Sequence, residues 1–237
     1  MKRFFNSPVM ILLIIMAVMG VMNGRFSDPL EWAMRIAYML PGIVIGLSFH
    51  EFGHAFVAYK LGDQTPKIQG RVTVSPLAHM DPIGFIALIF IGFGWGVPVE
   101  INPNNFKNPR RDEFLVGVAG VTINFILAIV FAGVLKLMFM FTPDFLGTYM
   151  GGVVIEIMSY GILINIVLMV FNLLPVPPLD GFGIITQIFN LKQTEFYYKV
   201  YDKGFIILMV LLIFNIVEMV LNPAVSFIYG LIMGMFF

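Results

Sequence analysis

The chain has 237 residues, 59% of them hydrophobic and 12% charged, against about 45–50% and about 25% in a soluble domain, so it reads as an integral membrane protein. Fourteen basic and fourteen acidic residues cancel, and nothing in the overall charge points to nucleic acid. No cysteine is present, which excludes disulfides, thiolate metal sites and a cysteine nucleophile within the chain, and leaves His, Asp and Glu to hold any metal.

Met1-Lys2-Arg3 precede a first apolar run at 8–23. No small-x-small cleavage site follows before Asn23-Gly24-Arg25, so the run reads as a retained span rather than a signal peptide. Further spans are expected at 36–60, 114–141, 152–174 and 204–221, with a shorter one at 224–237 after Asn222-Pro223. That makes about six transmembrane helices, several of them reaching or approaching the ~20 residues a bilayer requires.

Residues 67–76, KIQGRVTVSP, alternate through Ile68, Val72 and Val74 and predict a short β element. Residues 81–100 are apolar, but Gly92-Phe93-Gly94-Trp95-Gly96-Val97-Pro98 is poor helix. A re-entrant loop there places Lys2, Arg3, Lys60, Lys67, Arg71, Lys107, Arg110, Arg111, Lys192, Lys199 and Lys203 on one face, leaving Arg25 and Arg35 opposite. The positive-inside rule then puts that face and the N-terminus in the cytoplasm. The whole, 1–237, reads as one all-α polytopic membrane domain with its core at 36–183 and peripheral helices at 8–23, 204–221 and 224–237.

His50, Glu51 and His54 spell H-E-x-x-H inside the span 36–60. On a helix, residues i and i+4 share a face, so both imidazoles can bind one metal ion while Glu51 acts on the water that the metal activates. Ionisable groups inside a membrane are costly, and three at this spacing point to a metal site. Two histidines leave a catalytic zinc one protein ligand short of three. Asp180, in FNLLPVPPLDGFG at 171–183, is the candidate third ligand, because the prolines break the helix near the membrane face. Pro and Asp-Gly also mark an ordinary helix-ending turn, and the passage alone leaves both readings open. His79 and Asp81, in HMDP, are expected to hydrogen-bond a polar turn rather than ligate a metal.

HEFGH in a span, followed far downstream by NLLPVPPLDG, resembles the site-2 protease family of intramembrane zinc metalloproteases. The segments SPLAHMDPIG (75–84), GWGVPVEINPNNF (94–106) and AGVTIN (119–124) are similar to its short bacterial members without a PDZ or CBS domain. The resemblance implies one catalytic Zn2+ held by His50, His54 and Asp180, with Glu51 as general base and Asn124 near the substrate or the transition-state oxygen. The family commonly has Pro where this chain has Val121.

The implied activity is an intramembrane zinc endopeptidase that cuts a transmembrane segment of a membrane-protein substrate, in regulated proteolysis or clearance of signal-peptide remnants. Its setting would be the plasma membrane, multi-pass, with the active site opening to the cytoplasm. A regulatory membrane partner or an oligomer is left open. The alternatives are a membrane metal-ion transporter and a catalytically inactive membrane chaperone. A transporter should show ligands along a path and often a repeat, neither of which is seen here, and an intact Glu51 speaks against the chaperone. Ligands on the spans 36–60 and 152–174 reach one depth only if 81–100 does not cross, which is also what the basic residues require.

Overall fold

The long apolar runs fold as helices, and two of them begin at a proline preceded by a polar residue, Asp28-Pro29 and Asn108-Pro109. In the computed structural model, which describes residues 7–237, Asp28 caps α2 (Pro29–Lys60), its Oδ1 accepting from Glu31 N at 2.9 Å, after α1 (Ser7–Met22). Lys2 and Arg3 lie outside the described residues. There follow α3 (Thr65–Ile68), α4 (Pro76–His79), α5 (Pro82–Ile91), α6 (Pro109–Phe141), α7 (Pro143–Leu146), α8 (Tyr149–Asn172), α9 (Asp180–Ile188), α10 (Glu195–Tyr201), α11 (Gly204–Ile213) and α12 (Ile216–Phe236).

Four of these, α2, α6, α8 and α12, are long and apolar enough to cross a membrane by length and composition. The first three pack on one another as a central bundle, and α12 covers α6 and α8 from outside. Small residues set the spacing, as is usual where helices meet inside a bilayer. A Cβ on Gly42 of α2 would lie 3.1 Å from the Gly161 Cα of α8. Gly42→Val should therefore destabilise the bundle by about 1–3 kcal/mol, read as a lowered unfolding midpoint in detergent. Where α12 meets the bundle, Ala128, Ala132 and Leu135 of α6 form a buried apolar layer with Ile162 and Ile166 of α8 and Ile232 of α12.

The ends of the bundle helices are tied together by buried polar groups. Asp63, just after α2, is fully buried. Its carboxylate accepts from Thr65 N, Thr65 Oγ1 and Asn105 Nδ2 on one oxygen and from Asn102 N on the other. The end of α2 and the start of α6 therefore lie on the same side of the molecule. Burial pushes this carboxyl up, but the hydrogen bonds from Thr65, Asn105 and Asn102 outweigh it and hold it below the usual carboxylate range. A folded-state pKa below the unfolded value of about 3.9 contributes stability that is present above that value and is lost as pH falls through the folded one. Asp63→Asn should remove that acid-side dependence, measurable as a flatter unfolding midpoint between about pH 5 and pH 3.

Residues 81–100 fold back on themselves. Asp81 caps α5 through Ile83 N and Gly84 N at 2.8 and 3.0 Å, so HMDP does serve a turn, and His79 Nε2 donates to Thr73 O at 2.7 Å. α5 spans ten residues, about 15 Å, half of a hydrocarbon core. It ends at Gly92, which takes the left-handed conformation at φ 86°. The returning chain lies against the helix so closely that a Cβ on Gly84 would sit 2.1 Å from Trp95 O. Met80 and Gly96 pair as an antiparallel bridge, with Val97 N donating to His79 O at 2.7 Å. Arg25 Nη1 donates to Phe90 O at the hairpin tip, where the Phe90 ring meets Trp32.

Two expectations are corrected. The β element at 67–76 does not form, and no strand is present among the described residues. Pro66 lies in the helical turn α3, Gly70 at φ 69° reverses the chain, and Arg71 N closes the reversal on Pro66 O at 2.8 Å. The five residues left before Pro76 have no partner strand, and alternation cannot supply one.

The span 204–221 is also split. Asn215 adopts φ 56° and ends the ten-residue α11, and α12 then runs unbroken through Pro223 to Phe236. A helix at membrane depth tolerates a proline whose freed carbonyl finds another partner, so the break falls at Asn215 rather than at Asn222-Pro223. α11 is too short to cross alone.

Candidate metal centre

His50 and His54 lie one turn apart on the buried face of α2, directed between α6 and the start of α9. Asp180 is the first residue of α9, and two contacts fix its place. A Cβ on Gly181 would lie 2.2 Å from Leu173 O, so the start of α9 rests on the backbone at the end of α8. The far end of α9 is clamped to α6 by Arg110, whose Nε and Nη2 donate to Gln187 O and Ile188 O at 2.6 Å. Gln187 and Lys192 both reach Glu113 as well. The prolines before Asp180 free the chain from helix, and these contacts decide where it turns.

The three side chains converge. His50 Nε2 and His54 Nε2 are 3.1 Å apart, and Asp180 Oδ2 lies 3.1 and 3.2 Å from them. Their other ring atoms are committed. His54 Nδ1 donates to Val116 O at 2.7 Å, a carbonyl that can only accept. His50 Nδ1 is 2.7 Å from Asn124 Oδ1. With Nδ1 protonated on both neutral rings, both Nε2 lone pairs face the carboxylate oxygen, and Asp180 Oδ2 is buried without a hydrogen-bond partner. Three lone pairs around one point repel unless positive charge sits among them. Donors about 2.0–2.1 Å from a tetrahedral zinc are about 3.3 Å apart, close to the observed triangle. The set of two imidazoles and a carboxylate, with its outer hydrogen bonds made, fits zinc.

Gly120 of α6 forms the wall behind the rings. A Cβ there would lie 2.5 Å from His54 Nε2 and 2.6 Å from His50 Cε1. Glu51 stands outside this triangle of donor atoms, half-buried, with Oε2 accepting from Val99 N at 3.2 Å on the returning arm of the 81–100 hairpin. Asn124 is fully buried on the ring edge of His50 opposite Nε2. Its Nδ2 donates to Gly46 O at 3.1 Å and to Asn165 Oδ1 at 3.0 Å. The structure thus gathers His50, His54 and Asp180, sets Glu51 beside them and puts Asn124 behind one imidazole. Sequence reading did not single out Gly120 or Asn165. Asn165 carried a usable signal, an amide in the middle of an apolar span.

A family model described as peptidase family M50 matches residues 38–214, which include every residue of this cluster. The chain belongs to peptidase family M50. As a member of this family, the site-2 protease family, it is a zinc metalloprotease. The chain is 38% identical to YwhC of Bacillus subtilis, which carries the name of a zinc metalloprotease, over 80% of this chain and 86% of that protein. It is 29% identical to Rip2 of Mycolicibacterium smegmatis, named in the same way, over 87% of this chain and 80% of that protein. Zinc metalloprotease MJ0392 of Methanocaldococcus jannaschii is 25% identical over 76% of this chain and 40% of its own length. No solved structure matches this M50 chain.

Proposed function

We propose that this M50 peptidase is an intramembrane endopeptidase in which His50, His54 and Asp180 hold one zinc ion and Glu51 is the general base. The observation that carries the reading is the triangle of two Nε2 atoms and one carboxylate oxygen with edges of 3.1–3.2 Å. Zinc bound there would act as a Lewis acid, polarising a peptide carbonyl and bringing the pKa of a coordinated water toward ~7. Glu51 takes a proton from the attacking water and passes it to the leaving amide nitrogen, so that one peptide bond and one water become a carboxylate and an amine. His54 is kept in its ligating tautomer by Val116 O, and Asn124 does the same for His50.

The substrate we infer is a transmembrane segment of another membrane protein, reached from the cytoplasmic side of the plasma membrane. The helix ends bearing Lys60, Arg110 and Arg111 lie together, tied through Asp63 and Asn105, and a basic face of this kind favours the cytoplasm. The 81–100 hairpin would enter the bilayer from that face and return to it, carrying backbone that only protein cover makes tolerable. Regulation by a membrane partner or by self-association is compatible with this arrangement.

Zinc analysis of purified protein tests the ligand assignment. Wild type should hold one zinc per chain. Asp180→Ala should weaken zinc binding by more than the roughly 10–100-fold that loss of an outer hydrogen-bond partner costs. An Asp180→Ala protein that binds zinc as tightly as wild type would contradict the assignment.

A further inference from the structure

We propose that Asn165, on α8, is a positioning residue for the metal site that acts through Asn124 to keep His50 in its metal-binding tautomer. The inference rests on His50 being a zinc ligand, as set out above. Asn124 and Asn165 are both fully buried, so no bulk water can substitute for a lost partner. An amide can present either end, and here its partners decide which.

Asn165 Nδ2 donates to Gly161 O, one turn back on its own helix, at 2.8 Å. A backbone carbonyl only accepts, so the nitrogen of Asn165 faces it and the oxygen faces Asn124. That oxygen accepts from Asn124 Nδ2 at 3.0 Å, and Gly46 O accepts from the same nitrogen at 3.1 Å. Asn124 Oδ1 is thereby turned to His50 Nδ1 at 2.7 Å, where it can only accept. The proton must then sit on Nδ1, and Nε2 keeps the lone pair that a metal needs.

Without the Asn165 oxygen, only Gly46 O resists rotation of the Asn124 amide. A rotated amide offers N–H to Nδ1 and drives the ring proton to Nε2, the atom aimed at Asp180. Anchors on α8 and α2 thus set the chemistry of a ligand on α2 through a residue on α6. The second asparagine makes the orientation one-way.

The test is zinc affinity, measured by chelator competition on the purified full chain, in a double-mutant cycle. Asn165→Leu should weaken zinc about tenfold, the low end of the effect of an outer-shell partner. In an Asn124→Ala background the same change should have no further effect, because the relay is already cut. Asn165→Asp should stay within about threefold of wild type, since a buried carboxyl favours its neutral form and then offers Asn124 a carbonyl and Gly161 O a hydroxyl. Should Asn165→Leu fail to fold, Asn165→Ala removes the same oxygen without adding bulk and enters the same cycle.

Wild-type affinity in the single variant would overturn the proposal. So would equal weakening in both backgrounds, since a purely structural role of Asn165 in α8 would act regardless of Asn124. If His50→Ala leaves zinc affinity unchanged, the ligand assignment itself fails, an outcome distinct from a neutral Asn165 variant in a protein that needs His50.

Discussion

Glu51→Gln should leave zinc binding within about threefold of wild type and lower the rate of cleavage of a transmembrane substrate by about 10²–10⁴-fold, the range that a positioned general base supplies. The two effects separate because Glu51 lies outside the cluster of His50, His54 and Asp180 that could hold a metal ion. The variant is also conservative where the structure needs it to be. Glu51 Oε2 accepts from Val99 N, and a glutamine amide oxygen can accept the same bond, so the returning arm of the hairpin keeps its anchor. What glutamine cannot do at neutral pH is take a proton. Zinc analysis and a cleavage assay on the same preparation check both halves. Cleavage at the wild-type rate would remove Glu51 from the mechanism, and loss of zinc would place it among the ligands.

Gly120→Val should abolish stable zinc binding while leaving most of the bundle intact. The added Cβ alone would lie 2.5 Å from His54 Nε2 and 2.6 Å from His50 Cε1. The rings have little room to retreat, because Val116 O and Asn124 Oδ1 hold their far edges at 2.7 Å. Overpacking of this kind costs about 1–3 kcal/mol, and here its relief requires moving the two imidazoles. Zinc affinity should fall by more than about 100-fold, beyond what removal of a single outer partner causes, with a smaller fall in thermal stability of the metal-free protein. Gly183→Ala is the control. It lies in α9, three residues past Asp180, and a Cβ there meets nothing within 4 Å. It should keep zinc and gain stability of up to about 1 kcal/mol from helix propensity.

The placement of the two imidazoles was legible in the sequence because its periodicity is local. His50 and His54 share a helix face by spacing alone, and Glu51 comes with them. Asp180 was legible only as a candidate, since its position depends on Gly181 meeting Leu173 O and on the Arg110 clamp, contacts between distant segments. The return of the 81–100 segment was anticipated from glycines and charge, and its form as a ten-residue helix with an extended arm came from the Asp81 cap and the left-handed Gly92.

Where reading failed, a local pattern was overruled by something it does not contain. Val72 and Val74 alternate like a strand but have no partner to pair with. Asn222-Pro223 looks like a helix end, yet the break falls at Asn215, which accepts the left-handed conformation at φ 56°. Gly120 and Asn165 escaped because their importance lies in what stands opposite them across a helix interface, which no single stretch of sequence displays.

The central claim is tested most directly by returning zinc to the metal-free protein and following cleavage of a transmembrane peptide by mass spectrometry. Cleavage should be absent without metal, rise in proportion to added zinc, and level off at one zinc per chain. Cleavage that persists in the metal-free protein, or that never returns when one zinc is bound at His50, His54 and Asp180, would contradict it.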